Sequence, residues 1–301
     1  MHIPDGVLAA SVWLPLDAVA LPAAGYIARR AGRGFEDSRV PMLGVMGAFV
    51  FAAQMINFPV AAGTSNHLVG GALLTVTLGP AEAAVVMTAI LAVQALIFQD
   101  GGLLALGANV FNMALVGVLA AWLPYRALAG RARRTGIFFA GALSVFCAAL
   151  AALVELRVSG VPMPQPAAFA ALGVFAVTAL LEGTITVAVA AAIERLNPKL
   201  AAGRPEGGRR AAAVLALAAL LLATGGALAA SAWPDGLDTF LEQTGVAGQA
   251  RALVGSPLAD YEAGISAAPW VRKTIAGAVG VALAGAALFA FGRVMARRRS
   301  A

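Results

Sequence analysis

The chain has 301 residues, of which 60% are apolar and only 12% charged, and its mean hydropathy is +0.85. A soluble surface needs about a quarter of its residues charged, so a soluble enzyme, a disordered chain and a disulfide scaffold are excluded. The net charge of +6 does not point to nucleic acid, because the basic residues form short clusters between apolar runs, which is a topology pattern.

Nine apolar segments are expected in chain order, at 8–28, 40–62, 68–80, 81–98, 102–123, 136–155, 167–193, 211–232 and 274–292. Most are near the ~20 residues that cross a bilayer as a helix. The start, Met1-His-Ile-Pro-Asp-Gly6, has no basic stretch before the first segment and does not read as a signal peptide. The third segment is short for a crossing and is expected to tilt, pack inside the bundle or pair with the fourth around Gly79-Pro80. The single cysteine, Cys147, lies inside the sixth segment and has no partner for a disulfide within the chain. The expected fold is an all-α integral membrane protein: a bundle of about seven helical segments, then a two-helix C-terminal unit. A polar stretch near 233–270 forms its extracytoplasmic loop. Pro198, Gly203, Pro205, Gly207 and Gly208 mark a linker. The expected units are residues 1–200, a cytoplasmic linker 201–210, and residues 211–301.

Lysine and arginine counts set the expected orientation. With the N-terminus outside, 17 of the 21 basic residues fall on the cytoplasmic side. They lie at 29–39, 126–134, 195–210 and beyond 292. Only Arg157, Arg251, Arg272 and Lys273 stay outside. That asymmetry gives N-terminus out and C-terminus in.

There are two histidines, His2 and His67, and this topology puts both on the outer face. A free amine followed by His at position two offers three nitrogens to one ion: the Met1 amine, the deprotonated backbone nitrogen of His2, and His2 Nδ1. Their fused chelate rings favour a flat arrangement, and His67 would supply a fourth nitrogen. Square-planar nitrogen suits Ni(II) or Cu(II), with cobalt held less comfortably. Either histidine alone is more often a packed or water-facing residue; the pair on one face points to a metal. Met1 is expected to be retained, since His at position two blocks its removal, and its formyl group must go. Asp5, Asn57, Thr64, Ser65 and Asn66 are candidates for fixing the imidazoles from outside the ligand set. Gln54, Gln94, Asn109 and Asn112 are expected to face the bundle interior. Asp17, Glu82, Glu155 and Glu182 are expected near membrane ends. No phosphate-binding G-x-x-x-x-G-K-[ST] loop and no H-E-x-x-H occur, so no catalytic residue is expected.

At these residues the sequence resembles the CbiM/NikM family. The resemblance rests on Met1-His-Ile-Pro-Asp-Gly6, on Met55 through Gly63-Thr-Ser-Asn-His67 to Pro80, and on Gln99-Asp-Gly-Gly102 with Leu106 to Met113. It covers about residues 1–200 and implies the substrate-binding subunit of an energy-coupling factor (ECF) transporter. The implied ligands are Met1, His2 and His67, with the loop after Gln99 helping to close the site. Pro234-Asp-Gly-Leu237 and Ser256-Pro-Leu-Ala-Asp-Tyr261 resemble the PDGLE domain of the companion CbiN/NikN-like subunit, with Asp238 where that family usually has Glu. The resemblance implies a natural fusion in a prokaryotic inner membrane. Its implied partners are a CbiQ/NikQ-like transmembrane coupling subunit and CbiO/NikO-like cytoplasmic ATPases. The implied substrate is Ni(II), which a square plane favours, or Co(II), with no cofactor. The competing expectation is a self-sufficient permease driven by protons or potential, which needs ionisable residues deep in the helices. A metal sensor would need a signalling domain that the short loops do not offer.

Overall fold

In a bilayer the backbone must satisfy its own polar groups, so apolar runs become helices. The computed structural model describes residues 1–33, 37–197, 209–265 and 267–297. Its helices are α1 (Ala10–Gly32), α2 (Val40–Gln54), α3 (Gly71–Leu78), α4 (Pro80–Phe98), α5 (Leu106–Leu128), α6 (Arg133–Val158), α7 (Gln165–Leu196), α8 (Arg209–Ala229), α9 (Gly236–Gln243) and α10 (Pro269–Arg297). Helix α4 ends in a π-helical turn over Gln94–Phe98, and α5 contains another over Val110–Val116. Among the described residues six helices, α1, α4, α5, α6, α7 and α10, are long and apolar enough to cross a membrane. The protein is an all-α multi-pass membrane protein.

The expected segment 40–62 is not one helix. Helix α2 stops at Gln54, and a hairpin of β1 (Phe58–Ala61) and β2 (Thr64–Asn66) follows, pairing Phe58 with Asn66 and Pro59 with Ser65. Pro59 pushes Phe58 out of the helical region, and Gly63 turns the chain at φ 75°. Helix α3 has eight residues, all buried, and extends only about 12 Å. It packs against α4 across Gly79, which adopts φ 97° just before Pro80. Its hydroxyls are satisfied locally: Thr75 Oγ1 donates to Gly71 O (2.7 Å) and Thr77 Oγ1 to Leu73 O (2.6 Å), as polar groups in lipid require.

Small residues let the helices approach. A Cβ on Gly141 of α6 would stand 2.6 Å from Gly183 Cα of α7, so this crossing tolerates no side chain. The two long C-terminal helices are not set apart from the rest. Both α8 and α10 pack on α2 and on each other. Of the linker expected at 201–210, residues 201–208 lie outside the described residues; Arg209 and Arg210 begin α8. Lys199, Arg298 and Arg299, which entered the charge count, also lie outside them.

The bundle has two distinct ends. Residues 1–9, the β1–β2 hairpin, the 99–105 loop and α9 gather at one. At the other, Arg39 donates to Leu78 O (2.8 Å) and pairs with Glu82 (3.0 Å), and Arg133 pairs with Glu194. Gly292 of α10 also lies there, against Val40 and Leu43.

Candidate metal centre

The first six residues are pinned by the segment 100–109. Asn109 grips Ile3 twice, accepting from its N–H (2.8 Å) and donating to its carbonyl (3.0 Å). Gly102 N–H adds a third bond to Ile3 O at 2.9 Å. Asp5 Oδ2 accepts from Leu103 N–H (2.8 Å), while Oδ1 accepts from Leu104 (2.8 Å) and Ala105 (3.2 Å). The Gly101-Gly102 pair makes this closeness possible. Gly101 sits at φ 87°, and a Cβ there would be 3.1 Å from His2 Cβ. Met1 and His2 are consequently buried, at 4% and 6% exposure.

His67 arrives from the opposite direction. After β2 the chain dips into the bundle, and Glu182 of α7 catches it there. Glu182 Oε2 accepts from Val69 N–H (2.9 Å) and Oε1 from Gly70 N–H (2.8 Å). Glu182 was expected near a membrane end; it lies in the middle of the 32-residue α7. That burial is sustained by two backbone donors aimed at its carboxylate. Gly70, at φ 77°, starts α3.

These two segments meet. The Met1 amine lies 3.1 Å from His67 Nε2, and the His2 and His67 rings stack at a 5.3 Å centroid separation, 4° from parallel. His67 Nδ1 is 3.0 Å from Leu68 O. A carbonyl only accepts, so Nδ1 carries the proton, and Nε2 turns its lone pair toward the amine. His2 Nδ1 lies 2.9 Å from Asp100 Oδ1, and its Nε2 is buried without a hydrogen-bond partner. Asp100 Oδ2 accepts from Tyr261 Oη at 2.6 Å. The Met1 amine also pairs with Asp235 Oδ2, which is 3.9 Å from His67 Nε2. A cavity of about 320 Å³ opens onto His2, His67, Asp100, Asp235 and Tyr261.

The electrostatics follow from burial and these pairings. Burial pulls the amine's pKa down, but the adjacent Asp235 carboxylate outweighs it and the amine titrates above its usual value. His67 is pushed down to about 4, by burial first and then by the positive amine and His2, so it is neutral at pH 7. Burial would raise Asp100 and Asp235. The neighbouring His2 in one case and the amine in the other hold both below the usual carboxylate range. Asp238 is pushed up to about 7 by burial and by Asp235.

Among the described residues, none of the five residues expected to steady the imidazoles hydrogen-bonds to a ring, and Asn57 lines the cavity that holds both rings. Asp5 fastens the N-terminal segment. The Asn57 carbonyl accepts from Ser231 N–H (2.8 Å). Thr64 is buried at the start of β2. Ser65 Oγ donates to Trp233 O (2.6 Å), and Asn66 Nδ2 donates to Thr178 Oγ1 (2.8 Å). The imidazoles are instead met by Asp100 and by Leu68 O. Asp100, Asp235, Tyr261 and Glu182 were not assigned here from sequence. The first three lie within the Gln99–Gly102, Pro234–Leu237 and Ser256–Tyr261 motifs, and for Asp100 and Asp235 an acidic residue flanking glycine is the available signal. Among the described residues no three His, Cys, Asp or Glu side chains are grouped as metal ligands.

The family profile described as "Cobalt uptake substrate-specific transmembrane region", CbiM, matches residues 2–200. A protein of Archaeoglobus fulgidus that carries the name NikMN is 38% identical over 72% of this chain and 73% of its own length. The fused nickel transport protein NikMN of Rhodobacter capsulatus is 32% identical over 85% of this chain and 81% of its own. A crystal structure of a transition metal transporter superposes with a TM-score of 0.60 at 30% identity, covering 66% of this chain and 94% of that one.

Proposed function

Because this chain belongs to the CbiM family, the cobalt uptake substrate-specific transmembrane regions, we propose that it captures Ni(II) or Co(II) for uptake across the membrane. The ion is held by the Met1 amine, the backbone nitrogen and Nδ1 of His2, and His67 Nε2. The observation that supports this most directly is the buried meeting of Met1 N and His67 Nε2 at 3.1 Å, from segments 66 positions apart. Nitrogens bound to one ion at a right angle lie at about this spacing. His67 presents its lone pair without losing a proton. The amine gives up a proton, the His2 amide another, and His2 Nδ1 exchanges Asp100 for the ion. A flat four-nitrogen set favours nickel.

The rest of the reading concerns coupling. Residues 1–200 form the metal-capturing unit and residues 211–301 a fused companion unit. The site end faces outward and the arginine-rich end faces the cytoplasm. A separate transmembrane coupling subunit and cytoplasmic ATPases of the ECF type drive release inward, when amide reprotonation breaks the chelate. A self-powered permease would use deep ionisable groups. Glu182 is deep, but both its oxygens are committed to backbone N–H groups, which suits a fixed anchor.

The test is Ni(II) and Co(II) titration of the purified chain with its native amine and with a Gly-Ser-Gly-Ser extension. A one-residue extension is unsuitable, because it places His third from a new amine and creates another chelate. Equal binding by the extended chain overturns the ligand set. Metal uptake by cells making this chain without ATPase partners overturns the coupling.

A further inference from the structure

Asp235 comes from the C-terminal unit, yet it faces a proposed ligand of the first. It caps α9: Oδ1 accepts from Leu237 N–H (2.7 Å) and Asp238 N–H (2.9 Å). That commits one oxygen and leaves Oδ2 directed at the Met1 amine. Its mount is firm. Ser65 N–H donates to Pro234 O (2.9 Å) and Ser65 Oγ to Trp233 O (2.6 Å). The residue after Asp235 is packed so closely that a Cβ on Gly236 would stand 3.0 Å from Val174 Cγ1. Ser65 lies two positions before His67 on the same short segment. One stretch of backbone therefore carries a ligand and also seats the residue that holds the amine, which fixes their spacing.

Resting on the metal-site reading above, we propose that Asp235 is a positioning residue for the terminal amine, so that the C-terminal unit completes the metal site of the first. An ammonium group has three N–H bonds. Binding an ion replaces one, and one of the remaining two can still donate to Asp235 Oδ2, so the contact survives loading. Held this way, the nitrogen keeps its lone pair turned toward the space beside His67 Nε2. Charge agrees with geometry. A divalent ion with one deprotonated amide leaves one positive charge in a buried place, and the Asp235 carboxylate offsets it. The hydrogen bond from a metal-bound amine to a carboxylate is charge-assisted and strong. Substitution by an alkyl or acyl group removes N–H donors, so Asp235 also selects for a free amine.

The test uses the full chain with its native N-terminus and nickel chloride as probe, following affinity and the visible ligand-field band of the bound ion. Asp235→Asn and Asp235→Ser both keep a good helix cap while removing the negative charge, so the cap and the amine contact are separated. Both are expected to weaken Ni(II) binding about 10- to 100-fold, the usual cost of losing a group that orients a ligand, with the band unchanged in position. In the Gly-Ser-Gly-Ser-extended chain, Asp235→Asn is expected to cause no further loss, since the two changes act through one amine. Wild-type affinity in both substituted chains overturns the proposal. So does a loss that adds in full to that of the extension. If the extension itself is harmless, the metal-site reading fails first. If the extension is harmful and both substitutions are harmless, only the role of Asp235 fails.

Discussion

Residues 1–6 are held by many bonds to one neighbouring segment, 100–109, whereas the turn at Val69-Gly70 rests both its N–H groups on a single carboxylate that another helix sends into the bundle. The first anchor is a lattice of bonds from Asp5, Ile3 and Asn109, some of them to the half-buried Leu103 and Leu104. The second is concentrated in Glu182, with 113 positions between Val69 N–H and its acceptor. A distributed anchor yields gradually when cut. A concentrated one fails at a single residue, because buried donors left without an acceptor bear the full desolvation cost.

Four measurements break or sharpen that contrast. His67→Ala removes a ligand outright, and the four-nitrogen nickel spectrum should vanish in a titration that the native chain passes. Glu182→Ala should lower stability by about 2–6 kcal/mol, from two unpaired donors at roughly 1–3 each, read as a fall in melting temperature in detergent. Glu182→Gln keeps one acceptor and should cost clearly less; equal loss in the two would contradict the anchoring role. Asp5→Ala should cost about 1–3 kcal/mol and raise hydrogen exchange in residues 1–6 and 102–105. Exchange at 64–70 should stay unchanged, and a change there would show that the two anchors are one. The last measurement is in pH. Nickel affinity should rise roughly tenfold per pH unit for each proton displaced. Since His67, at about 4, is already neutral, the amine and amide carry the slope. A flat profile between pH 6 and 8 would remove both from the donor set.

Much of the fold was legible because lipid leaves the backbone few choices. The nine apolar stretches, the short third one and its pairing at Gly79-Pro80 all came from composition and length. The end of α2 at Gln54 departs from the expected segment 40–62, although Pro59 and Gly63 signal it, because hydropathy alone does not distinguish a helix from an apolar hairpin. The two histidines could be picked out because they are the only ones. Their partners could not, because sequence does not say which loop folds over which. Asp100 and Asp235 each sit beside a glycine in a motif already singled out, yet their targets, His2 and Met1, are fixed only by the tertiary packing. Asn109, expected to face the interior, turned out to hold a main-chain segment. Gln54 and Gln94, which join α2 to α4 at 2.8 Å, make an ordinary interhelical bond.

The ion pair between Met1 and Asp235 spans 234 positions, and that separation has a meaning in time. At about 5–20 residues per second, the ribosome needs roughly 10–50 s after making the head of the chain before it makes the carboxylate that will cover it. Through that interval the head is open to processing enzymes. Once the tail has been threaded and docked, the same atoms are sealed at 4% exposure, so any trimming of the first residue has to precede that docking.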